Sequence, residues 1–363
     1  MDIHSVPGVK SRDVAEAHRM DLLHQGEYGC NCMTYWIDED RETIFCLIEA
    51  TDRDAVKNMH SKAHGLVPHK IIEVSSNIVQ SFLGRIYDPD DAVMENGLKV
   101  FANPGFRVLL IAETMDQTLM RSHLGTDAAN TLIATFNAEV RKQLLLHNGS
   151  EVEHPGEGFL VSFASASQAV KCTLAIKDQL PEEVAQSLDL HMAINGGEPI
   201  EKSNNLFGDA IQFGHYLCSI LSKERVALSA QIKELASKEL VQNQKGRLYI
   251  LSQADEDLLK LLYATLEEKY ADQYFDLSEF SRAMAMSQTQ LYRKLTTLTG
   301  HASNALLKEF RLEKAKEFMQ KGIHSISQVA FDTGFSSPSY FTKCFKSRYG
   351  LLPMEYIELL QRQ

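Results

Sequence analysis

The chain is poor in the residues that mark fibrous or cross-linked proteins. It holds one tryptophan, nine prolines, twenty glycines and six cysteines in 363 residues. So little proline and glycine excludes collagen-like and low-complexity classes. The cysteines, at 30, 32, 46, 172, 218 and 344, are too scattered for a disulfide-stapled secreted scaffold. No apolar run approaches the ~18 residues that a membrane-spanning helix needs. The opening MDIHSVPGVKSRD lacks the basic-then-apolar order of a secretory signal. These absences lead to the expectation of a cytoplasmic protein with no membrane partner. What is present is ordinary globular composition, 44% hydrophobic and 23% charged. The length suits roughly two to three domains at ~100–200 residues each.

The formal net charge is −11, unevenly distributed. Between Ser281 and Gly350, eleven Lys and Arg face four Asp and Glu, a window of +7 that leaves −18 for the remainder. A basic block on an acidic chain is the footprint of a polyanion partner. A solvated helical face gives the same count, so charge alone does not separate the two.

Periodicity divides the chain into a multidomain α+β protein with segments at 1–76, 77–104, 105–253 and 254–363. The first reads strand, helix, strand, strand, helix, strand. Helices are expected over 11–25, with Ser11 as N-cap, and over 52–64, ended by Gly65. NCMTYWI (31–37) and TIFCLIE (43–49) carry the β-branched and aromatic residues of strands, and 70–74 closes the unit. That order is the ferredoxin-like split motif, an α+β domain. Residues 77–104, ending at Asn103-Pro104-Gly105, read as a connector. The third segment alternates strands such as RVLLIAE (107–113) with long helices, an α/β layer domain. The last is helical throughout. Apart from two similar patterns within it, no internal repeat is visible.

Those two patterns carry the strongest signal. LSEFSRAM, a turn at Ala285-Met286 and a Ser287 cap precede a helix over 288–298. Leu291, Leu295 and Leu298 form its core side, which leaves Gln288, Thr289, Gln290, Arg293 and Lys294 outward. Such donors and acceptors at a helix N-terminus read base edges in a major groove. In the second copy, SISQVAF and the turn DTGF lead to a helix over 337–349, capped by Ser336. A helix over 304–319 joins the two units. It would hold both reading helices on one side of double-stranded DNA, about one duplex turn apart.

ISQVAFDTGFSSPSYFTKCFKSRYGLLPMEYI resembles the AraC family of transcription regulators, whose second motif shares this spacing of Ala, Gly-Phe, Ser-Tyr-Phe, Phe-Lys, Gly and Pro. The resemblance covers about 100 residues and implies an all-α double helix-turn-helix domain. It assigns base reading to Gln288, Gln290 and Arg293, with Thr289 beside them, and to Ser337, Ser339 and Lys343. Lys294, Lys346 and Arg348 are expected on phosphates, which position without reading sequence. Phe335, Phe341 and Phe345 are core by period.

RVLLIAETMDQTLMRSHLGTDAANTLIATFNAEVRKQL, continuing through LHMAINGGEPIEKSNNLFGDAI, resembles the class III nucleotide cyclase fold by order and hairpin shape. Cyclase chemistry needs two aspartates holding two metal ions. The first falls at Ala112-Glu113. The second falls in a hairpin reading Pro155-Gly156-Glu157-Gly158. The helix IQFGHYLCSIL offers neither the Asn nor the Arg of the transition state. The expectation is a domain without catalysis that dimerises the chain or senses a small molecule. An active cyclase fused to a DNA-binding domain, and a ligand-free interaction scaffold, are the rival readings.

The first segment concentrates His4, His18, His24, His60, His64 and His69 with Cys30, Cys32 and Cys46. His60 and His64 stand one helical turn apart, so both rings can face one ion. His4 and Cys46 lie on strands that neighbour each other in the ferredoxin-like order, and Asp21 can add a carboxylate. The expected metal set is therefore His4, Cys46, His60 and His64. Cys30 and Cys32 read as core. Imidazole and thiolate suit nickel, copper, zinc or iron. A haem or other ligand, and no ligand at all, fit the same residues. HSVPGV, EAHRMDL, TYW, FCLIEA and MHSKAHGL together resemble a family of small ferredoxin-fold proteins with nickel-binding members, and that resemblance favours nickel.

Overall fold

The computed structural model describes residues 1–153, 158–200, 205–220, 226–244, 246–322 and 325–362. Its N-terminal unit runs β1 (Asp2–Ser5), α1 (Ser11–His24), β2 (Cys30–Asp38), β3 (Thr43–Ala50), α2 (Arg53–Ala63) and β4 (Lys70–Ile71). The strand order is β2-β3-β1-β4, antiparallel throughout, which is ferredoxin-like. Two local expectations are corrected. Lys10, not Ser11, is the N-cap of α1: its N–H bonds the Asp13 carboxylate at 3.1 Å, while the Ser11 hydroxyl turns to Glu39. The last strand, expected over 70–74, is two residues long, because β1 pairs with it only through Asp2 and Ile3.

The expected connector is part of the core. α3 (Ser76–Leu83), capped by Ser75, buries Val79, Phe82 and Leu83. A short hairpin, β5 (Val93–Glu95) with β6 (Leu98–Val100), follows. Buried Arg107 donates to the carbonyls of Phe82 and Leu83, both at 3.0 Å, and so satisfies acceptors that the end of α3 leaves unpaired. Arg85 lies over the rings of Trp36 and Phe101.

The middle unit runs β7 (Arg107–Glu113), α4 (Gln117–Leu124), α5 (Thr126–His147), β8 (Ser150–Glu153), β9 (Gly158–Phe163), α6 (Ala166–Gln179), α7 (Glu182–Ser187) and β10 (His191–Gly197). After it come α8 (Gly208–Ile220), β11 (Val226–Leu228), α9 (Ala230–Leu235), α10 (Lys238–Asn243) and β12 (Leu248–Ile250). The sheet order is β12-β11-β10-β7-β9-β8. Only β10–β11 and β11–β12 pair in parallel, so the expected α/β sheet is a mixed one. The four strands β8-β9-β7-β10 repeat the N-terminal order. The chain therefore holds the βαββαβ unit twice, a repeat that the sequence does not display.

Each of the two sheets packs one face on its own helices. Their other faces meet across α3 and α8 in one shared core that includes Trp36, Phe45, Phe82, Leu109, Ile111 and Leu160. The C-terminal domain consists of α11 (Gln253–Lys269), α12 (Leu277–Ala283), α13 (Gln288–Thr299), α14 (Ser303–Gln320), α15 (Ile326–Asp332), α16 (Pro338–Tyr349) and α17 (Pro353–Gln361). Its second half packs around Phe341, Phe345 and Tyr356 and takes in Leu119 from α4. Among the described residues no helix is long and apolar enough to cross a membrane.

Candidate nucleic-acid interface and candidate metal centre

Both helices expected to read bases begin on a hydroxyl cap. Ser287 accepts from the Gln290 N–H at 3.2 Å, and the Gln290 side-chain oxygen accepts from the Ser287 N–H at 3.1 Å, which closes a capping box on α13. α16 starts one residue later than the sequence suggests. Ser337, not Ser336, accepts from the Tyr340 N–H at 3.3 Å, and Pro338 takes the first helical position, where its missing N–H costs nothing. Gln290 and Ser337, expected on bases, thus commit side-chain oxygens to the helix backbone.

Gln288, Thr289, Arg293 and Lys294 stand exposed on α13, and Ser339, Lys343 and Lys346 on α16. Leu291, Leu295, Phe335, Phe341 and Phe345 are buried beneath them. Gly334 makes the second motif's turn at φ +77°, where a Cβ would collide with the carbonyl oxygen of Tyr270. Other cations of the basic window are used internally. Arg348, expected on phosphate, pairs with Glu309 at 2.7 Å. Lys314 and Lys316 pair with Glu267 at 2.8 Å and Glu313 at 3.0 Å. Arg311 donates to the carbonyls of Tyr270 and Asp272.

In the N-terminal unit, donor side chains fill the layer between sheet and helices. Asp2 and His4 project from one face of β1, and Cys46 sits opposite Asp2 on β3. α2, capped by Asp52, brings His60 and His64 over them, and α1 contributes Asp21. His60 Nδ1 lies 3.0 Å from Asp21 Oδ1, and its Nε2 lies 3.0 Å from Asp2 Oδ2. His64 Nε2 is 3.1 Å from the same Asp21 oxygen and 3.0 Å from His60 Nδ1. His4 Nε2 is 3.6 Å from Asp2.

The four expected ligands are therefore neighbours but fall into two groups, Asp21–His60–His64 and Asp2–His4–Cys46. His60 links them with its two nitrogens. Asp2 escaped the sequence reading, since one acid at the head of a short strand reads as surface. Its alternation with His4, which puts both on one face, is the signal that could have found it.

Burial alone would lower the pKa of His60. The carboxylates of Asp2 and Asp21 outweigh it and hold the ring up at about 9. Burial would raise Asp2 and Asp21, but the imidazoles keep both below the usual carboxylate range. Burial and the nearby carboxylates push the Cys46 thiol well up. The donor chemistry of Asp21–His60–His64 fits a divalent transition metal: two imidazole nitrogens and a carboxylate oxygen converge within bonding reach of one ion. Asp2, behind His60, supplies the outer hydrogen bond that orients a ligating ring. Leu66 N–H points at His64 Nδ1 from 3.1 Å. Cys30 and Cys32 are core, with Cys32 Sγ 3.5 Å from the Met59 sulfur.

In the middle unit, Ala112 is buried and Glu113 is half-buried at the end of β7. Glu113 meets His215 of α8 at 2.5 Å, a pairing that the sequence gives no means to foresee. Burial would lower His215, and Glu113 outweighs it and raises the ring. Pro155, Gly156 and Glu157 lie outside the described residues.

Residues 1–74 match the family described as Nickel responsive protein SCO4226-like, and residues 280–358 match the family described as Helix-turn-helix domain. The chain is 34% identical over 106 residues to Histidine kinase P4 of Formosa agariphila, covering 29% of this chain and 8% of the kinase. It is 30% identical over 148 residues to the Virulence regulon transcriptional activator VirF of Yersinia enterocolitica, covering 38% of this chain and 52% of the activator. The chain thus spans about half the length of the activator and a small part of the kinase. Among solved structures it is similar to the C-terminal domain of the response regulator yesN from Fusobacterium nucleatum, at 28% identity and a TM-score of 0.27, covering 29% of this chain and 99% of that one.

Proposed function

We propose that this chain, which joins a SCO4226-like domain to an AraC-type helix-turn-helix domain, is a metal-responsive transcription regulator that binds double-stranded DNA. The observation that carries this reading is the pairing, on one chain, of the buried Asp21–His60–His64 triad with two hydroxyl-capped helices bearing exposed Arg293, Lys294, Lys343 and Lys346. Arg293, Gln288, Thr289 and Ser339 read bases. Gln290 and Lys343 assist through their free donors, and Ser337 acts through the cap. Lys294 and Lys346 hold phosphates, and Arg348 joins them when Glu309 releases it.

Nickel is the favoured ion, and copper, zinc and iron suit the same donors. A bound ion would supply positive charge between α1 and α2. Asp21, His60 and His64 would hold it, Asp2 would orient His60, and His4 with Cys46 forms the adjoining donor group. To serve as ligands, His60 would have to be unprotonated at Nδ1, and the Leu66 N–H would have to turn from His64 Nδ1. The middle unit is read as non-catalytic, because Ala112 occupies the position that metal-dependent nucleotidyl chemistry gives to an aspartate. The protein works as a cytoplasmic homodimer.

The test uses the full chain. Elemental analysis and thermal unfolding with nickel, copper, zinc and iron(II) should give stoichiometric metal. The stabilisation should grow with the logarithm of metal excess, about 2.7 kcal/mol at a hundredfold excess over Kd. A duplex selected from a random pool should lose about 1–3 kcal/mol of affinity and relax at one position in Arg293→Ala. Lys346→Ala should weaken all duplexes alike and lower the salt slope by about 1. No metal and no thermal shift would remove the sensor reading. Equal loss on selected and random duplex in Arg293→Ala would remove the base-reading assignment.

A further inference from the structure

A cleft of about 1120 Å³ opens between the middle unit and the DNA-binding domain. One wall is the end of the middle sheet and α8, with Glu113, His191, His215 and Tyr216. The other is built from α11 and α14, with Tyr263, Phe310 and Lys314. Its size is that of a site for a drug-sized molecule with water around it.

Three features of the lining define what fits. The first is an aromatic floor. Ring centroids of Tyr216 and Tyr263 lie 4.7 Å apart, and those of Tyr263 and Phe310 6.1 Å apart. The second is an unmet polar group. Tyr216 is only 3% exposed, it lines the cleft, and its hydroxyl has no hydrogen-bond partner among the described residues. A buried hydroxyl without a partner is destabilising, so this wall of the cleft carries a polar strain that the chain itself does not relieve.

The third is charge. Seven carboxylates line the cleft against three Lys and Arg. All three of those cations are already ion-paired, Lys314 with Glu267, Lys316 with Glu313 and Arg348 with Glu309. At the sheet end, Glu113 and Asp189 lie beside histidines instead, His215 at 2.5 Å and His191 at 3.7 Å. An incoming anion must break an ion pair. An incoming cation meets a lining in which carboxylates outnumber Lys and Arg by four and, at Glu113, has only the His215 proton to displace, above aromatic faces where its attraction to the rings adds to the charge term.

We propose that this cleft binds an organic cation with an apolar body, its charge toward Glu113 and its body on Tyr216, Tyr263 and Phe310, and that occupancy changes how the middle unit holds the DNA-binding domain. The binding half stands on the cleft alone. The regulatory half rests on the reading of the C-terminal domain as DNA-binding. The mechanical link is short. Asp116, which caps α4 through Leu119 N–H, also accepts from the Tyr356 hydroxyl at 2.6 Å and from Gln320 at 2.9 Å. His123 of α4 meets the Tyr349 carbonyl at 3.1 Å. A molecule in the cleft thus lies beside the contacts that dock α4 on the second reading unit. A nucleotide, the ligand class of working cyclases, is excluded by the same charge argument.

Calorimetric titration of the full chain with two ions of one shape and opposite charge, tetraphenylphosphonium and tetraphenylborate, tests the assignment, with GTP and Mg²⁺ as a third probe. Tetraphenylphosphonium should bind saturably at one per chain and at least tenfold tighter than tetraphenylborate. Glu113→Gln should weaken it at least fivefold. Gln212→Trp, at an exposed α8 position that lines the cleft, should block it while the thermal midpoint stays unchanged. Equal binding of the two ions, saturable binding of GTP that competes with the cation, or cation binding indifferent to both variants overturns the proposal. With a selected duplex, the cation should shift DNA affinity in the wild type and not in Gln212→Trp. Saturable cation binding with unchanged DNA affinity overturns the regulatory half. A chain that binds the cation but selects no duplex upholds the cleft and overturns the DNA-binding reading.

Discussion

The two βαββαβ units share strand order and helix placement, yet the layers between sheet and helices are opposites. On β1 the helix-facing positions are Asp2 and His4, under His60 and Asp21. On β7 the corresponding face is Val108, Leu110 and Ala112, under Phe136, Val140 and Val170. The apolar layer is stabilised by burial at about 25 cal/mol per Å². The polar layer loses that term and survives because nearly every charge in it faces an opposite one. The comparison teaches that the topology does not choose the chemistry of its interior. A site can be placed there once the charges close among themselves, and the cost is stability that a bound ion can restore.

The largest effect should come from moving the polar solution into the wrong layer. Leu110→Asp places a lone carboxylate at a fully buried position, and its cost should exceed the ~4–5 kcal/mol that marks exceptional mutants. Soluble yield and denaturant unfolding will read it; a variant near wild-type stability would mean that the two layers are less different than their lining implies.

Next, His60→Ala should destabilise the metal-free N-terminal unit by about 3–5 kcal/mol, because Asp2 and Asp21 lose their shared partner. The combined change Asp2→Leu, Asp21→Leu, His60→Leu should recover most of that while metal binding stays lost. If the triple change is as unstable as the single one, unpaired charge is not what the single change exposes.

A smaller effect follows from His60, whose folded pKa of about 9 lies above its ordinary 6.5. A raised pKa stabilises the fold fully below pH 6.5, and that contribution is lost as pH rises toward 9, about 3 kcal/mol in all. Hydrogen exchange should show residues 53–63 loosening over that window while 126–147, beside the apolar layer, stays flat. Metal affinity should move the opposite way and rise with pH, since the ion needs the unprotonated ring.

The smallest effect concerns the helix caps. Asp52 caps α2 and Ser165 caps α6, each the helix between the third and fourth strands of its βαββαβ unit. Replacing either with Ala should cost about 0.5–2 kcal/mol. Only Asp52→Ala should also weaken metal binding, since α2 carries both His60 and His64; equal metal affinity in the two variants would separate the cap from the site.

How much of this was legible in the sequence follows from what each signal depends on. The helix-turn-helix units were readable because caps and turns are local: Ser287 bonds three residues ahead, and the turn at Gly334 is set by its own positive φ. Where two candidates sit side by side, locality fails. Ser336 and Ser337 are chemically equal, and Pro338 at the first helical position decides between them. The metal donors were visible as residue types and through the spacing of His60 and His64. Their division into two groups was not, since it depends on how α1 and α2 cross the sheet. The fold repeat stayed hidden because Asp2-x-His4 and Val108-x-Leu110 share no chemistry, though they occupy the same layer. Residues 77–104 read as a connector because the partners of Phe82 and Arg107 lie on other segments.

The shared core has a consequence for synthesis. Ile3, Trp36, Phe45 and Leu47 turn away from their own helices into the shared core, with α3, α8 and Leu109, Ile111 and Leu160 of the middle sheet. The ribosome delivers the N-terminal unit first, at roughly 5–20 residues per second. For some seconds that unit can close its helix side yet must show the solvent a bare apolar sheet, until about a hundred further residues have been made. A stall in translation near residue 105 would leave that sticky half-product waiting, the moment at which a chaperone has most to hold and aggregation most to gain.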